Sequence, residues 1–173
     1  TSNGGKDGFV LQSSVHDISS VGWINSFGGS ADEKVTKLKA LGDGGLIVGG
    51  NFKNVGTFGS VTHNSLGMSD CFAGFLSSAG VWGNVFSFGG AGDDELSGLI
   101  VLADEKIMVS GNFMSSFKFG NREINSNGKR DGFVALFNEY GSCLFLKNYG
   151  GSGTDDIKSI SHNDGQVHFV GSF

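Results

Sequence analysis

An aromatic residue followed by two glycines occurs three times in this chain, at a constant interval. The triplets are Phe27-Gly28-Gly29, Phe88-Gly89-Gly90 and Tyr149-Gly150-Gly151, and successive triplets start 61 residues apart. Each triplet follows a short apolar segment and precedes a small acidic turn. A spacing this regular predicts a repeated structural unit.

Composition limits what the unit can be. Glycine makes up 31 of 173 residues, more than twice the average share of about 7%, and proline is absent. A period of 61 rather than three excludes collagen, so we expect the glycines to lie in the turns that separate regular elements. Sixteen phenylalanines and a hydrophobic fraction of 38% predict a packed core instead of a disordered chain.

Charge and hydropathy exclude two classes of partner. The net charge is −5, and lysine and arginine form no run that would follow a phosphate backbone, which argues against nucleic acid. The longest apolar runs, such as 99–103, are far shorter than the stretch of about 20 residues that spans a membrane. The sequence therefore predicts no membrane span.

Four apolar segments recur in each repeat and are bounded by Gly, Asn and Ser, as strands usually are. The first strands are predicted at 9–12, 72–76 and 133–137, the second at 22–27, 83–88 and 144–149, and the fourth at 46–52, 107–113 and 167–173. Short polar turns precede the fourth strands and indicate hairpins. The connection of 17 residues from Phe52 to Asp70 predicts a long arm with a short extra strand.

The third segment of each repeat is ambiguous between helix and strand. Its paired apolar residues lie three positions apart, as in Val35 and Leu38, and the same pair recurs in the other repeats. A step of three fits one helical turn, but the segment is too short for a stable helix. We therefore predict a third strand that contains a bulge.

These segments predict an all-β fold of tandem four-stranded antiparallel blades, similar to a β-propeller. The three repeats of about 61 residues are 1–61, whose start is truncated, 62–123, and 124–173, whose end is truncated, and together they form one repeat domain. A β-solenoid is the main alternative, although its coils usually use far fewer residues. Three units are too few to close a propeller ring of four to eight blades, which predicts a longer array or copies that join.

The recurring motifs resemble a known family. Asp-Gly-Phe-Val, aromatic-Gly-Gly-x-Gly-Asp-Asp and Val-x-Gly-Asn-Phe are similar to the β-propeller repeat of secreted, mostly bacterial proteins, which is often grouped with seven-bladed propeller repeats. The chain departs from that pattern where Cys71 replaces glycine, where Thr154 is read as an insertion before the acidic pair, and where Asn84 and Phe145 replace a tryptophan found at Trp23. The resemblance implies a fold and an extracellular or cell-surface location, but no activity.

Two repeated sets of acidic residues are the candidate sites. The acidic turns offer hard oxygen ligands for calcium, weighed against a role as solvated turn caps; the calcium candidates are Asp32, Asp93, Asp94, Asp155 and Asp156, with Glu33 in the same turn. The first strands begin at Asp7, Asp70 and Asp131. Because catalysis needs one constellation whereas every repeat needs its turns, we assign these aspartates and the three aromatic-Gly-Gly triplets a structural role.

No catalytic motif accompanies these residues. The histidines show no metal-ligand spacing and the serines form no nucleophile elbow, so the sequence predicts no enzyme and no cofactor other than calcium. Cys71 and Cys143 lie at different points of their repeats, which favours two buried thiols over a disulfide. Trp23, Trp82 and Tyr140 are candidates for stacking on sugars, although core packing is the favoured interpretation.

The sequence as a whole predicts a non-enzymatic repeat protein that is extracellular or exposed on the cell surface. We expect it to act as a scaffold, an adhesin or a subunit of a self-associating assembly, with further repeats or other copies as its partners. The alternative is a propeller that binds or cleaves glycans at the mouth of its axis.

Overall fold

Runs of β-branched and aromatic residues between glycine-rich turns form strands along the whole chain. The computed structural model describes residues 4–173, and this part contains sixteen strands and no helix. The first eight strands are β1 Gly8–Ser13, β2 Val21–Phe27, β3 Glu33–Ala40, β4 Leu46–Phe52, β5 Val55–Phe58, β6 Val61–Asn64, β7 Asp70–Leu76 and β8 Trp82–Phe88. The others are β9 Glu95–Val101, β10 Ile107–Phe113, β11 Ser116–Phe119, β12 Arg122–Asn125, β13 Asp131–Phe137, β14 Cys143–Tyr149, β15 Asp156–Asn163 and β16 Gln166–Ser172. The prediction of an all-β chain is confirmed.

The strands form antiparallel sheets that run across the repeats. Two sheets have four strands, in the orders β3-β4-β7-β8 and β9-β10-β13-β14. Each takes its third and fourth strands from one repeat and its first and second strands from the next. The strands left at the two ends form the two-stranded sheets β1-β2 and β15-β16.

Each third strand contains the predicted bulge. The pairing register shifts between Val35 and Lys37 in β3 and between Ile157 and Ser159 in β15, and β9 shifts at the equivalent position. An extra residue reverses the alternation of side chains, so apolar residues three positions apart face the same side. Leu96 and Leu99 of β9 are accordingly both buried.

The long arm between the fourth and first strands differs from its prediction. It contains two short strands instead of one, and these pair as the hairpins β5–β6 and β11–β12. Each hairpin turns at a glycine with a positive φ, Gly59 or Gly120. Each also bonds to the end of the preceding sheet, through the bridges between Gly28 and Thr57 and between Gly89 and Lys118. The arm therefore links neighbouring sheets.

Phenylalanines fill the space between the sheets. Phe27 at the end of β2 stacks on Phe58 of the hairpin at 5.2 Å between ring centroids, and Phe58 lies 4.6 Å from Phe72 of β7. In the next repeat Phe88 stacks on Phe119 at 4.6 Å, as Phe27 does on Phe58, and Phe117, at the position of Gly56, lies 4.2 Å from Phe133 of β13. Aromatic pairs of this kind add to the stabilisation that comes from buried area.

The third strands of successive sheets lie next to one another: β9 contacts both β3 and β15.

Cys71 and Cys143 are buried free thiols, as predicted, and burial raises the pKa of the Cys71 thiol well above its usual range. The structure therefore gains no cross-link, and its sheets are held together by packing and hydrogen bonds.

Candidate functional site

The two repeated sets of acidic residues meet at the glycine doublets. We call each meeting point a carboxylate node, formed by a first-strand aspartate, a Gly-Gly doublet and the acidic residue four positions after the second glycine. The nodes are Asp7 with Gly28, Gly29 and Glu33; Asp70 with Gly89, Gly90 and Asp94; and Asp131 with Gly150, Gly151 and Asp155. In each node, the N–H of the second glycine donates to the carboxylate of the later acidic residue, at 3.0, 2.6 and 2.6 Å in chain order.

The doublets of the first two nodes must be glycine because both of their Cα atoms lie against other groups, whereas a Cβ on Gly151 would meet only Oδ2 of Asp155 at 4.0 Å. A Cβ on Gly89 would stand 2.6 Å from the carboxyl carbon of Asp70 and 2.8 Å from Oδ2 of Asp94. A Cβ on Gly90 would overlap the carbonyl oxygen of Ser116 in the hairpin. The doublet thus lets two carboxylates and a neighbouring strand approach one point of the backbone.

Asp70 and Asp131 are buried and hold the loops that precede their strands, while Asp7 is half-buried. Asp70 accepts a bond from the Leu66 N–H at 3.1 Å, and Asp131 accepts one from the Asn127 N–H at 3.0 Å. Asp131 also accepts a bond from the Asn148 side chain at 3.3 Å. These bonds to the main chain fix the entry into each first strand.

Burial of two carboxylates in one node changes their acidity. Desolvation raises the pKa of Asp94 to about 7, and the neighbouring Asp70 charge adds to the rise, while the Gly90 N–H opposes it. Desolvation also raises the pKa of Asp70 and of Glu33. Because desolvation disfavours the charged form, the second node retains a proton at pH values where an exposed aspartate has lost it.

The structure places the calcium candidates in different surroundings. Asp94 and Asp155 are buried in nodes, Asp32 accepts a bond from the Lys6 N–H at 2.9 Å, and Asp93 is half-buried. Asp156 accepts a hydrogen bond from Lys158 at 2.7 Å and forms an ion pair with Arg130 at 3.0 Å, and these cations lower its pKa. Within residues 4–173, no three His, Cys, Asp or Glu side chains form a group that could hold a metal. Calcium prefers six to eight oxygen ligands, so its binding here stays a prediction.

Thr154 is not an insertion. It forms a parallel bridge with Arg130, as Asp93 does with Ser69, so Thr154 occupies the position of Asp93. Asp155 then corresponds to Asp94, and both accept a bond from the second glycine of their doublets. Matching the adjacent pair Asp155 and Asp156 to Asp93 and Asp94 therefore misplaces both residues by one position.

Two buried asparagines connect neighbouring sheets, and sequence reasoning missed them. Asn51 of β4 donates to the Asp94 carbonyl oxygen at 2.7 Å and accepts from the Leu96 N–H at 3.2 Å. Asn112 of β10 accepts from the Ile157 N–H at 2.6 Å. The recurring Gly-Asn-Phe at the end of the fourth strands was the available signal, because a polar residue repeated inside an apolar strand needs a buried partner.

We expect Asn51→Ala to lower the free energy of unfolding by about 2–4 kcal/mol, because it leaves a buried carbonyl and a buried N–H without their partner. Thermal or urea unfolding measures the change. Asn64→Ala is the matched control, since Asn64 is exposed on β6 and should change stability by less than about 0.5 kcal/mol. Equal stability of the two variants would contradict the connecting role of Asn51.

The aromatic residues considered for sugar stacking do not form a common platform. The Trp23 indole donates to the Ser78 carbonyl at 3.0 Å, and the Trp82 indole donates to Asn25 at 2.9 Å. Trp82 also packs edge-on against Phe27 and Phe58. Tyr140 lies apart from them, exposed in the turn before β14. Both tryptophans therefore serve the packing of sheet on sheet.

The two end sheets leave inner strands with one open edge. Their equivalents in the four-stranded sheets, β4 with β7 and β10 with β13, pair with each other. Among residues 4–173, by contrast, β16 pairs only with β15, and β1 only with β2. Apolar side chains on these strands are exposed: Phe9 by 64%, Phe169 by 37% and Val170 by 64%. In the complete sheets, Phe72 and Val109 occupy the places of Phe9 and Phe169 and are fully buried.

No protein-family model matches the chain, and no curated protein is found to be similar to it. In the part of the chain that the structure describes, no helix has the length and apolar character needed to cross a membrane.

Proposed function

We propose that this chain is a non-enzymatic structural repeat protein, exposed outside the cell, whose sheets are blades of a propeller-like array. Its role is that of a scaffold or of a subunit in a self-associating assembly. The end sheets are completed by strands of the same repeat type. The extracellular location is supported by the resemblance of its motifs to secreted propeller repeats.

The observation that carries this proposal is the state of the end sheets. β1 and β16 are inner strands by their place in the repeat, yet each has an unpaired edge and exposed apolar side chains within residues 4–173. Open strand edges favour pairing with another strand, and proteins that stay monomeric usually protect them with charges, prolines or bulges. Neither Phe9-Val10-Leu11 nor Phe169-Val170 contains such protection.

The use of the buried acidic groups supports a structural role. At the second node, Asp70 and Asp94 accept bonds from main-chain N–H groups, and Asn51 ties the same segment to the neighbouring sheet. Groups committed to the backbone in repeated positions hold the architecture, whereas a catalytic centre is built once and opens onto a substrate pocket.

We expect the chain to sediment above its monomer mass of 18.0 kDa as its concentration rises, and Phe9→Lys to weaken this association at least tenfold. A charge at this position opposes strand addition at the open edge of β1. Analytical ultracentrifugation measures both effects. Val81→Lys is the matched control, because Val81 has the same 64% exposure but lies in the turn before β8. A wild-type chain that remains at 18.0 kDa at every concentration would contradict the proposal.

A further inference from the structure

We infer that a cleft between the third strands binds a sulfate or phosphate group, either as a free ion or as an ester on a larger molecule. The cleft has a volume of about 250 Å³ and lies where β3, β9 and β15 meet. We call it the bulge cleft, and its polar walls include Lys34, Thr36, Lys37, Ser97 and Lys158. Anion binding here is a further activity and does not depend on self-association.

The three bulges of the third strands converge on this cleft. In each third strand one residue has no partner in the neighbouring fourth strand: Thr36 in β3, Ser97 in β9 and Lys158 in β15. All three residues line the bulge cleft. A bulge bends its strand and turns a side chain in a new direction, and bulges are frequent beside functional sites. The repeated bulge thus brings side chains from all three repeats to one place.

The bulge residues differ in what their hydroxyl groups bind. The Thr36 hydroxyl donates to the Leu96 carbonyl oxygen at 3.2 Å and so joins β3 to β9. The Ser97 hydroxyl is buried and has no hydrogen-bond partner within residues 4–173. A buried polar group without a partner is rare in a folded protein and calls for an explanation. A serine O–H rotates to meet an acceptor, so an oxyanion in the cleft would supply the partner that Ser97 lacks.

The bulge cleft is positively charged in a chain whose net charge is −5. Lys34, Lys37 and Lys158 line it, against one carboxylate, Glu95. Lys37 is half-buried and forms no ion pair in the part of the chain that the structure describes, and Lys34 is 4.0 Å from Glu95, at the limit of an ion pair. The lysines therefore attract an anion to this point of an otherwise acidic surface.

Arg130 neutralises the carboxylates that would otherwise repel an anion. Its guanidinium bonds to Glu95 at 2.7 Å and forms an ion pair with Asp156 at 3.0 Å. Asp156 also accepts a hydrogen bond from Lys158 at 2.7 Å. The three lysines of the cleft and Arg130 thus face two carboxylates, which leaves two positive charges in excess.

The kind of donor favours sulfate or phosphate over a carboxylate ligand. A carboxylate is best matched by the planar fork of an arginine, and Arg130 is already engaged with Glu95 and Asp156. A lysine ammonium is a point charge and a serine hydroxyl is a single donor, so donors from separate strands suit an anion with oxygens on all sides. At about 30 Å³ per water molecule, the cleft holds roughly eight waters, which leaves room for a group that carries the anion.

Titration with anions at constant ionic strength, followed by the amide NMR shifts of the full chain, tests the site. The probes are sodium sulfate, sodium phosphate and a sulfated monosaccharide, and the unsulfated sugar is the control. We expect saturable shifts at residues 36, 97 and 158 with the anions and none with the unsulfated sugar. Constant ionic strength is needed because salt screens the attraction between the lysines and any anion.

Two substitutions separate the bulge cleft from general surface charge. Lys37→Gln should weaken sulfate binding about tenfold, because it removes a charged donor. Lys39→Gln is the matched control: it removes the same charge from the same strand, but Lys39 is exposed and lines a different pocket, so affinity should change about twofold or less. Ser97→Ala should weaken binding about fivefold and leave the melting temperature unchanged, since its hydroxyl has no partner in the fold.

The anions also identify the source of the bound group. Binding of the sulfated sugar about tenfold tighter than sulfate would support the site and assign it to an ester, whereas equal affinities would support it as a site for the free ion. Absence of saturable shifts with all three anions would overturn the inference. Equal weakening by Lys37→Gln and Lys39→Gln, or equal binding of the unsulfated sugar, would overturn it as well. None of these outcomes bears on self-association, so the proposed function is tested separately.

Discussion

Gly90→Ala is expected to lower the free energy of unfolding by about 3–5 kcal/mol, the range of a lost core contact. The new methyl group would overlap the Ser116 carbonyl oxygen, and neither backbone can move without separating β8 from the hairpin β11–β12. That separation breaks the two main-chain bonds between Gly89 and Lys118, of 3.1 and 2.9 Å. It also opens the aromatic cluster that Phe117 completes.

Thermal and urea unfolding measure the effect of Gly90→Ala, and the melting temperature should fall by about 10 °C. Gly153→Ala is the matched control, since a Cβ at Gly153 meets no atom within 4 Å and its φ is not positive. We expect that control to stay within about 0.5 kcal/mol of the unmodified chain. If Gly90→Ala has the same melting temperature as Gly153→Ala, the close approach at the doublet is not needed for the fold.

The chain is expected to become less stable as pH rises from about 4 to about 7, opposite to the usual acid unfolding of proteins. Asp94 has a pKa raised from 3.8 in the unfolded chain to about 7 in the fold. A raised pKa in the folded state contributes stability that is complete below the unfolded value and lost as pH passes the folded value. At about 1.4 kcal/mol per pKa unit, the loss is about 4 kcal/mol. Asp70 and Glu33 shift in the same direction.

Asp94→Asn should remove most of this decline and make the chain more stable than the unmodified protein at pH 8. The amide oxygen can still accept the Gly90 N–H, while the weaker bond from the Met114 N–H, at 3.4 Å, is lost. Urea unfolding at pH 5 and pH 8 gives the comparison. Asp93→Asn, at the adjacent half-buried position, should keep the decline. A decline of equal size in both variants would show that Asp94 does not cause it.

Much of the local structure could be predicted from the sequence, because it follows from patterns within one repeat. The bulge is an example: Val35 and Leu38 have a spacing that neither a regular strand nor a short helix satisfies, and a bulged strand resolves it. The turns at 42–45 and 163–165 likewise join the third strands to the fourth, as their polar residues indicate.

The arrangement of strands into sheets could not be predicted in the same way. A periodic sequence looks the same wherever the unit is cut, so nothing within it shows that β4 pairs with β7 across a long arm instead of staying with the preceding strands. The carboxylate nodes form within one repeat, because the antiparallel pairing of β7 with β8 sets Asp70, at the start of β7, beside Gly89, which follows β8. The asparagine contacts between sheets, such as that of Asn51 with Leu96, could not be predicted either, because they depend on which sheets become neighbours.

Sheets that draw strands from two successive repeats also govern how the protein melts. A segment cut at 62–123 contains β7 and β8 without β3 and β4, and β9 and β10 without β13 and β14, so it holds no complete sheet. Loss of one repeat therefore disrupts the sheets on both sides of it. Such interlocking raises the coupling between neighbours in a repeat array, and unfolding spreads along the chain as one cooperative transition instead of unit by unit.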